Sequence, residues 1–429
     1  MNDFGQVPSI TFFFPYKEVS GVPVLFRRMA EYLSEKNGVK TFLVDYADGY
    51  AAKSLNMKSG VQLITFEDGV PVHIPKDTIL VLQSVLPYTM RPELRVAPNT
   101  RIIFWTLYPL NLIPTIIPID WFRHLQTKYT RYNRVLMATI MRPLRNQLQR
   151  LITAMAEKNS IFFMDGSNLT STAERLHLII HDPIFIPVPS DDAPHNCKLM
   201  KTPVEGRPLN FCWLGRLADF KIHILIYTIK ALSEYALRNK TPIKMHVIGY
   251  GPLAEKLQNL DAENDFFQII MVGTLTGSAL DRYLLEQVDV LAAMGTSALE
   301  GAKLGVPTIL LDMSYGPVKR DYKFKWIFES KKFSLGEVID KDSYERHNHS
   351  LDRAISKVKE DYRSLSQKTY AYYAAHHSIS SVSEKFMAAL KKSSFTYGDL
   401  RPEILQKSMF RKIYEFVRAT HRSWRYAKP

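Results

Sequence analysis

An α/β chain of two doubly wound, Rossmann-like domains facing a cleft, followed by a basic helical extension, is predicted from three observations. Short apolar runs alternate with helical segments along the first half, a polar stretch rich in proline follows near residue 190, and a second alternating series begins after it. Strands that are apolar along their whole length belong to parallel sheets covered on both faces, and such sheets are wound from repeated strand-helix units.

The first series has strands at residues 9–14, 40–44, 61–64, 78–82 and 101–105, extended by runs at 161–164 and 184–187. Residues 189–208, with Pro, Asp, Asn and Lys and no periodicity, read as a linker. Strands of the second series are expected at 209–213, 244–248, 268–272, 289–292 and 308–311, with a helix over 222–237. The predicted domains are therefore 1–190, a linker at 191–207, a second domain at 208–390, and an extension at 391–429 that can pack back on the first domain.

Composition narrows the class. A chain of 429 residues with 46% hydrophobic content can bury more than one core. Its two cysteines, Cys197 and Cys212, make neither a disulfide framework nor a zinc spacing, and the sequence opens Met1-Asn2-Asp3-Phe4 without a charged export signal. A cytoplasmic setting is expected. The net charge of +14 suits nucleic acid, anionic lipid or phosphorylated substrates. No nucleic-acid-binding module is recognisable, so specific nucleic-acid binding is not expected.

Between residues 209 and 312 lie pieces suited to holding the diphosphate of an activated sugar. Gly215, Arg216 and Lys221 follow the first strand of the second series, at the sheet's carboxyl edge, where open α/β sheets bind ligands. Arginine offers a planar fork and lysine a mobile point charge for phosphate oxygens. Gly295, Thr296 and Ser297 form a turn into a helix expected to begin near Ala298, with Glu300 in its first turn. Glycine allows close backbone approach, Thr or Ser can cap, and exposed N–H groups attract an anion. Each piece alone is also what a solvated surface cation or an ordinary first-turn glutamate looks like. Their order within one domain is what favours a site.

These words resemble the donor-binding domain of GT-B-fold glycosyltransferases, closest to glycosyltransferase family 4. The resemblance rests on Gly215-Arg216-Leu217 with Phe220-Lys221, on Val247-Ile248-Gly249-Tyr250-Gly251-Pro252, on Val272-Gly273-Thr274-Leu275, and on Leu299-Glu300-Gly301-Ala302-Lys303-Leu304-Gly305-Val306-Pro307-Thr308. It implies transfer of a sugar from a nucleotide diphosphate donor to a glycan or lipid-linked glycan, as in surface polysaccharide or lipopolysaccharide assembly. By that resemblance Arg216 and Lys221 bind the diphosphate and stabilise the leaving nucleotide, and Glu300 accepts the ribose hydroxyls. Thr274 and Leu275 lie in the loop that contacts the base, Gly249 belongs to the donor site, and Gly21, within Ser20-Gly21-Val22, corresponds to a small-residue loop near the diphosphate.

Two positions depart from the family pattern. Ala292 stands where retaining members carry a second glutamate, and the sequence reads Thr106-Leu107-Tyr108-Pro109 where a Thr-Leu-His-Asp-like word is usual. The stereochemical outcome therefore stays open. An inverting reaction needs a general base, for which Glu18 and Asp165 at strand ends are candidates. The departures also leave room for a catalytically silent nucleotide-sugar-binding protein, and the fold for a sugar-nucleotide epimerase.

Fixed cations and backbone dipoles can stabilise a departing diphosphate without magnesium, so no metal or cofactor is expected. Asp340-Lys341-Asp342 reads as a polar turn, and the histidines at 347, 349, 376 and 377 form no ligand set. Residues 102–119 are uncharged, but Pro109, Pro114 and Pro118 disqualify them as a membrane span. Directly after them residues 121–150 carry seven Lys/Arg and no acid, and residues 401–429 carry eight. Aromatic residues beside these cations suit an anionic membrane surface, so peripheral attachment to the inner face of the membrane is expected. Leu144, Leu148, Leu151 and Met155 recur at helical spacing and favour a core-facing stripe.

Overall fold

The computed structural model describes residues 8–83, 91, 93–108, 111–112, 130–139, 141–193, 206–318, 322–339 and 349–400. The chain divides into two compact units, Met1–Val188 with Ser383–Pro429, and Pro189–Val382.

The first unit is built on strands β1 (Ser9–Phe13), β2 (Thr41–Tyr46), β3 (Gln62–Phe66), β5 (Thr78–Leu82), β7 (Arg101–Thr106), β8 (Ile161–Phe163) and β9 (Ile184–Phe185). Two further strands, β4 (Val72–His73) and β6 (Leu94–Arg95), pair only with each other. The main sheet has the order β3-β2-β1-β5-β7-β8-β9, and every pairing in it is parallel. Ile79, Leu80, Val81, Ile102, Ile103 and Trp105 are wholly buried, as the continuous apolar runs require. Helices Gly21–Asn37, Arg142–Glu157 and Gly166–Leu176 cover the sheet. In the second of these Leu148, Leu151 and Met155 are buried, so the stripe read from their spacing faces the core.

The chain returns to this unit earlier than the expected boundary at residue 391. Helix Ile379–Lys392 brings Phe386 against Trp105, Phe12 and Phe162, with ring centroids 5.3, 6.1 and 5.9 Å apart. Burying an aromatic ring among three others outweighs keeping that turn of helix with the second unit. The return is secured by the Ile102 amide donating to the Phe395 carbonyl at 2.9 Å and by a Lys158–Asp399 ion pair at 2.7 Å. The extension at 401–429 and the basic segment 121–129 lie outside the described residues.

The second unit holds β10 (Leu209–Leu214), β11 (Ile243–Ile248), β12 (Phe267–Gly273), β13 (Val290–Ala293), β14 (Thr308–Leu310) and β15 (Lys325–Trp326), ordered β12-β11-β10-β13-β14-β15. Only the edge strand β15 runs antiparallel. Helix Asp219–Asn239 buries Ile222, Leu225, Ile229 and Leu232 completely against Trp213 and Met245. Sheet order reverses at β10, which pairs with β11 on one side and β13 on the other. Such a switch point opens a crevice at the carboxyl ends of the two central strands.

Strands β4, β6 and β15, each two residues long, were not predicted; so short a strand is legible only where it falls in a recognised apolar run, as β9 does. The helix expected from Ala298 begins at Thr296, and its cap is Gly295 (φ 62°, ψ −150°), with no side-chain cap bond. That backbone conformation favours glycine, so it displaces the predicted Thr or Ser cap.

Candidate donor-binding site

The loops after β10 and β13 meet at the switch point. An ideal Cβ built on Gly215 would lie 3.4 Å from Lys221 Nζ, 3.7 Å from Ser297 Oγ and 3.7 Å from the Trp213 ring. The ammonium and the hydroxyl therefore converge on a bare Cα, whose φ of 154° also favours glycine. Arg216 is the exposed next residue, while Lys221 sits half-buried in the first turn of Asp219–Asn239. Burial pushes the Lys221 pKa below the usual lysine value, and the neighbouring Arg216 charge pushes it further down. Lys221 and Arg216 thus place two cations side by side at the sheet's carboxyl edge, an arrangement that suits an anion.

Beside them Leu214, Gly215, Arg216, Ile248, Gly249, Tyr250, Thr274 and Leu275 line a cavity of about 310 Å³. Around it the loops after β10, β11 and β12 meet through backbone hydrogen bonds. Gly215 N–H donates to the Ile248 carbonyl at 3.0 Å, Leu217 N–H to the Tyr250 carbonyl at 3.1 Å, and Gly249 N–H to the Gly273 carbonyl at 2.7 Å. A Cβ on Gly249 would stand 2.1 Å from the Gly215 carbonyl oxygen, and one on Gly251 2.3 Å from the Leu217 carbonyl oxygen. Gly249→Ala is expected to destabilise the second unit by a few kcal/mol, on the order of the cost of forced repacking plus strain, and to abolish donor binding. Gly273→Ala meets only its positive φ of 85°, with open space around the new methyl, and should cost about 1 kcal/mol. Thermal unfolding of both variants checks the contrast; equal stabilities would refute the role of the close approach.

Glu300 lies in the seven-residue helix Thr296–Ala302, half-buried, with Oε2 at 2.6 Å from Lys303 Nζ. The same ammonium reaches Asp281 at 2.9 Å. Burial lowers the Lys303 pKa, but Glu300 and Asp281 outweigh it and hold the net value above the usual one. Lys303 thus fixes one oxygen of Glu300, a partnership the sequence reading did not foresee.

A buried cluster behind the site was also missed. Asp312, just past β14 and 2% exposed, receives Lys325 Nζ at 3.0 Å and the Glu337 amide at 2.9 Å on Oδ1, and the Tyr322 hydroxyl at 3.1 Å on Oδ2. It anchors the segment from which the Leu335 carbonyl accepts the Gly295 amide at 2.6 Å. Ser314 N–H donates to the Phe220 carbonyl at 2.9 Å, next to Lys221. The segment around the cluster therefore touches both the Gly295 turn and the helix start that carries Lys221. Only an Asp close to a strand end hints at it in sequence.

Glu18 is exposed in the loop after β1, and Gly21 opens helix Gly21–Asn37 with empty space around its Cα. Both belong to the first unit, apart in the chain from the residues above. Asp165, considered as a base, is 3% exposed and caps helix Gly166–Leu176, its Oδ1 accepting from the Asn168 amide at 2.8 Å and the Ser167 hydroxyl at 2.8 Å. Burial raises its pKa, and the hydrogen bonds only partly oppose that. Its role is structural: the carboxylate is enclosed by its own helix start. Asp340-Lys341-Asp342 and His347 lie outside the described residues, and among the described residues no group of three His, Cys, Asp or Glu is placed to hold a metal ion.

No family model matches the chain, and no curated protein sequence does. Solved structures do. A glycosyltransferase from Rickettsia africae ESF-5 is 12% identical and superimposes with a TM-score of 0.51 over 94% of this chain and 99% of its own. The chain has the GT-B glycosyltransferase fold. The apo lipopolysaccharide outer core galactosyltransferase WaaB is 14% identical over 89% of this chain and 99% of its own, at a TM-score of 0.46. WaaG, a glycosyltransferase involved in lipopolysaccharide biosynthesis, is 12% identical over the same shares, at 0.45. In a GT-B fold the switch-point crevice of a doubly wound unit is where the general rule for open α/β sheets puts the ligand, and here that crevice holds Gly215, Arg216, Lys221 and Ser297.

Proposed function

We propose that the chain transfers a sugar from a nucleotide diphosphate sugar to a glycan or lipid-linked glycan acceptor, as in surface polysaccharide or lipopolysaccharide assembly, without a metal. The observation that carries this reading is the convergence of Lys221 Nζ and Ser297 Oγ on Gly215, beside Arg216, at the switch point of the second unit. The fold shared with the Rickettsia protein, itself named a glycosyltransferase, supports it.

In the reaction the bond from sugar C1 to the diphosphate oxygen breaks, and the electron pair stays on the departing diphosphate. Arg216 and Lys221 stabilise that growing charge, as fixed cations do where water is partly excluded. The acceptor oxygen bonds to C1 and gives its proton to a base, for which Glu18 is the candidate. Glu300, with one oxygen held by Lys303, offers the other to the ribose hydroxyls, while Thr274, Leu275 and Tyr250 border the space for the base. A panel of nucleotide-sugars, monitored for free nucleoside diphosphate with and without membrane lipid extract, tests the reading. Release from no donor under any condition would overturn it.

A catalytically silent binding protein is the second reading, favoured by Ala292, which is 1% exposed inside β13 in place of a glutamate. Donor binding without release of nucleotide in the same panel would select it.

Peripheral attachment to the inner membrane face, from a cytoplasmic location, is part of the proposal. Among the described residues no helix is long and apolar enough to cross a membrane. Arg142 and Arg150 are exposed on helix Arg142–Glu157, and Val135 and Ile179 of the same unit are 57% and 78% exposed. Exposed cations and exposed aliphatic groups on one unit suit a headgroup layer, each cation near the surface contributing about 1 kcal/mol. The protein is expected to sediment with phosphatidylglycerol vesicles at low salt and to be released as salt rises, with Arg142→Glu/Arg150→Glu weakening capture. Failure to sediment at low salt would remove the membrane part alone.

A further inference from the structure

Arg175 of the first unit is a buried guanidinium with no ion pair within 4 Å among the described residues. It is 6% exposed, its Nη1 donates to the Ser171 hydroxyl, and its Nε is buried without an acceptor among the described residues. Glu174, its neighbour in sequence, turns to Arg134 at 3.6 Å. Burial pushes the Arg175 pKa down, and Glu174 and Tyr108 oppose this only in part. A buried arginine lacking a carboxylate or carbonyl cage costs folding free energy, which is recovered when an anion occupies the place.

The surroundings point to where that anion sits. Side chains on a helix lean toward its N-terminus, so Arg175 reaches back over Ser171. Asn168, Ser171 and Arg175 share one face of helix Gly166–Leu176, being three and then four residues apart. Asn168 is 1% exposed and its Oδ1 also has no partner among the described residues, although its Nδ2 is held by Asp165 at 2.9 Å. Tyr108, 49% exposed, follows the carboxyl end of β7 and lies close enough for its phenol to act electrostatically on Arg175.

We infer that Arg175 and Ser171 form an oxyanion-binding site in the first unit, taking a phosphate or carboxylate group. Arginine pairs with either through two parallel N–H donors, and the serine hydroxyl adds a third. The inference goes beyond the proposed transfer reaction and uses none of the donor-binding residues. If the reaction is as proposed, the group belongs to the acceptor.

The test uses the full chain carrying Arg216→Ala/Lys221→Ala, which removes the other cation pair, and equilibrium dialysis with radiolabelled inorganic phosphate in matched chloride. One saturable site is expected. Arg175→Gln added to that background should weaken it at least tenfold, Arg175→Lys less, and Ser171→Ala a few-fold. Competition by acetate as strong as by unlabelled phosphate would assign a carboxylate ligand; weaker competition would assign a phosphate. Absence of saturable binding, or binding unchanged by Arg175→Gln, overturns the site. Where Arg175→Gln does not fold, unchanged affinity in Ser171→Ala overturns it instead. Donor turnover is not read in this experiment, so its failure leaves the transferase reading standing and is distinguishable from failure of that reading.

Discussion

Lys221→Ala is expected to lower kcat/KM for the nucleotide-sugar donor roughly 100- to 1000-fold, the usual cost of removing one preorganised charge stabiliser from a developing anion. The fold should survive, because Lys221 lies at the start of a helix whose buried face is carried by Ile222, Leu225 and Ile229, not by the ammonium. Glu300→Gln should cost less, about 10- to 100-fold, since it keeps an acceptor oxygen and loses the charge. Lys303 retains Asp281 at 2.9 Å in that variant, so the helix stays in place. Steady-state kinetics with far-UV circular dichroism separate activity from folding. Wild-type donor affinity in both variants would end the assignment of this site.

The same lysine gives a pH dependence of fixed sign. Its free-protein pKa lies below the ordinary lysine value because of burial and then Arg216. A bound diphosphate favours the charged form and raises that pKa, so donor binding takes up a proton at pH values between the two. Donor KM should therefore rise as pH climbs through the lowered pKa, earlier than an ordinary lysine would allow. Lys221→Arg, which stays charged, should flatten the profile.

Asp312→Ala is the largest expected change in stability, about 3–5 kcal/mol, because it leaves the Lys325 ammonium buried without its carboxylate. The Lys325 side chain is only 8% exposed and that of Asp312 3%, so water cannot easily replace the lost partner. The Glu337 amide and the Tyr322 hydroxyl lose their acceptor as well. The double variant Asp312→Leu/Lys325→Met removes both charges and should recover much of the loss, as apolar replacement of buried pairs often does. Chemical denaturation followed by tryptophan fluorescence reports on the second unit through Trp213 and Trp326. Donor affinity should fall in Asp312→Ala even where the protein remains folded, because the segment holding the Gly295 amide is released. A loss of under 1 kcal/mol would show that the cluster does not brace the site.

The strands of both sheets were legible from the chain because apolar runs are a local signal. Thr78–Leu82 was found to the residue, and the other main strands within two residues or so at each end. Gly215, Gly249 and Gly295 could be singled out as words, since positive φ leaves a mark in residue choice. What the words could not say is why they belong together. Lys221 and Ser297 converge because β10 and β13 are neighbours, and strand order is set by sheet assembly, not by any local pattern.

By itself, then, the amino-acid sequence determined the α/β alternation, the break near residue 190, the absence of a cysteine framework and the cation-glycine set of the second unit. Only the tertiary structure decided that Lys303 clamps Glu300, that Asp312 anchors the segment bonded to Gly295, that Ser383 onward returns to the first unit, and that Arg175 is buried with its Nε lacking an acceptor among the described residues. Each of those depends on which side chains face each other across elements far apart in sequence. The free energy of such meetings comes from burial and charge pairing, which are properties of the packed chain and leave no period to read.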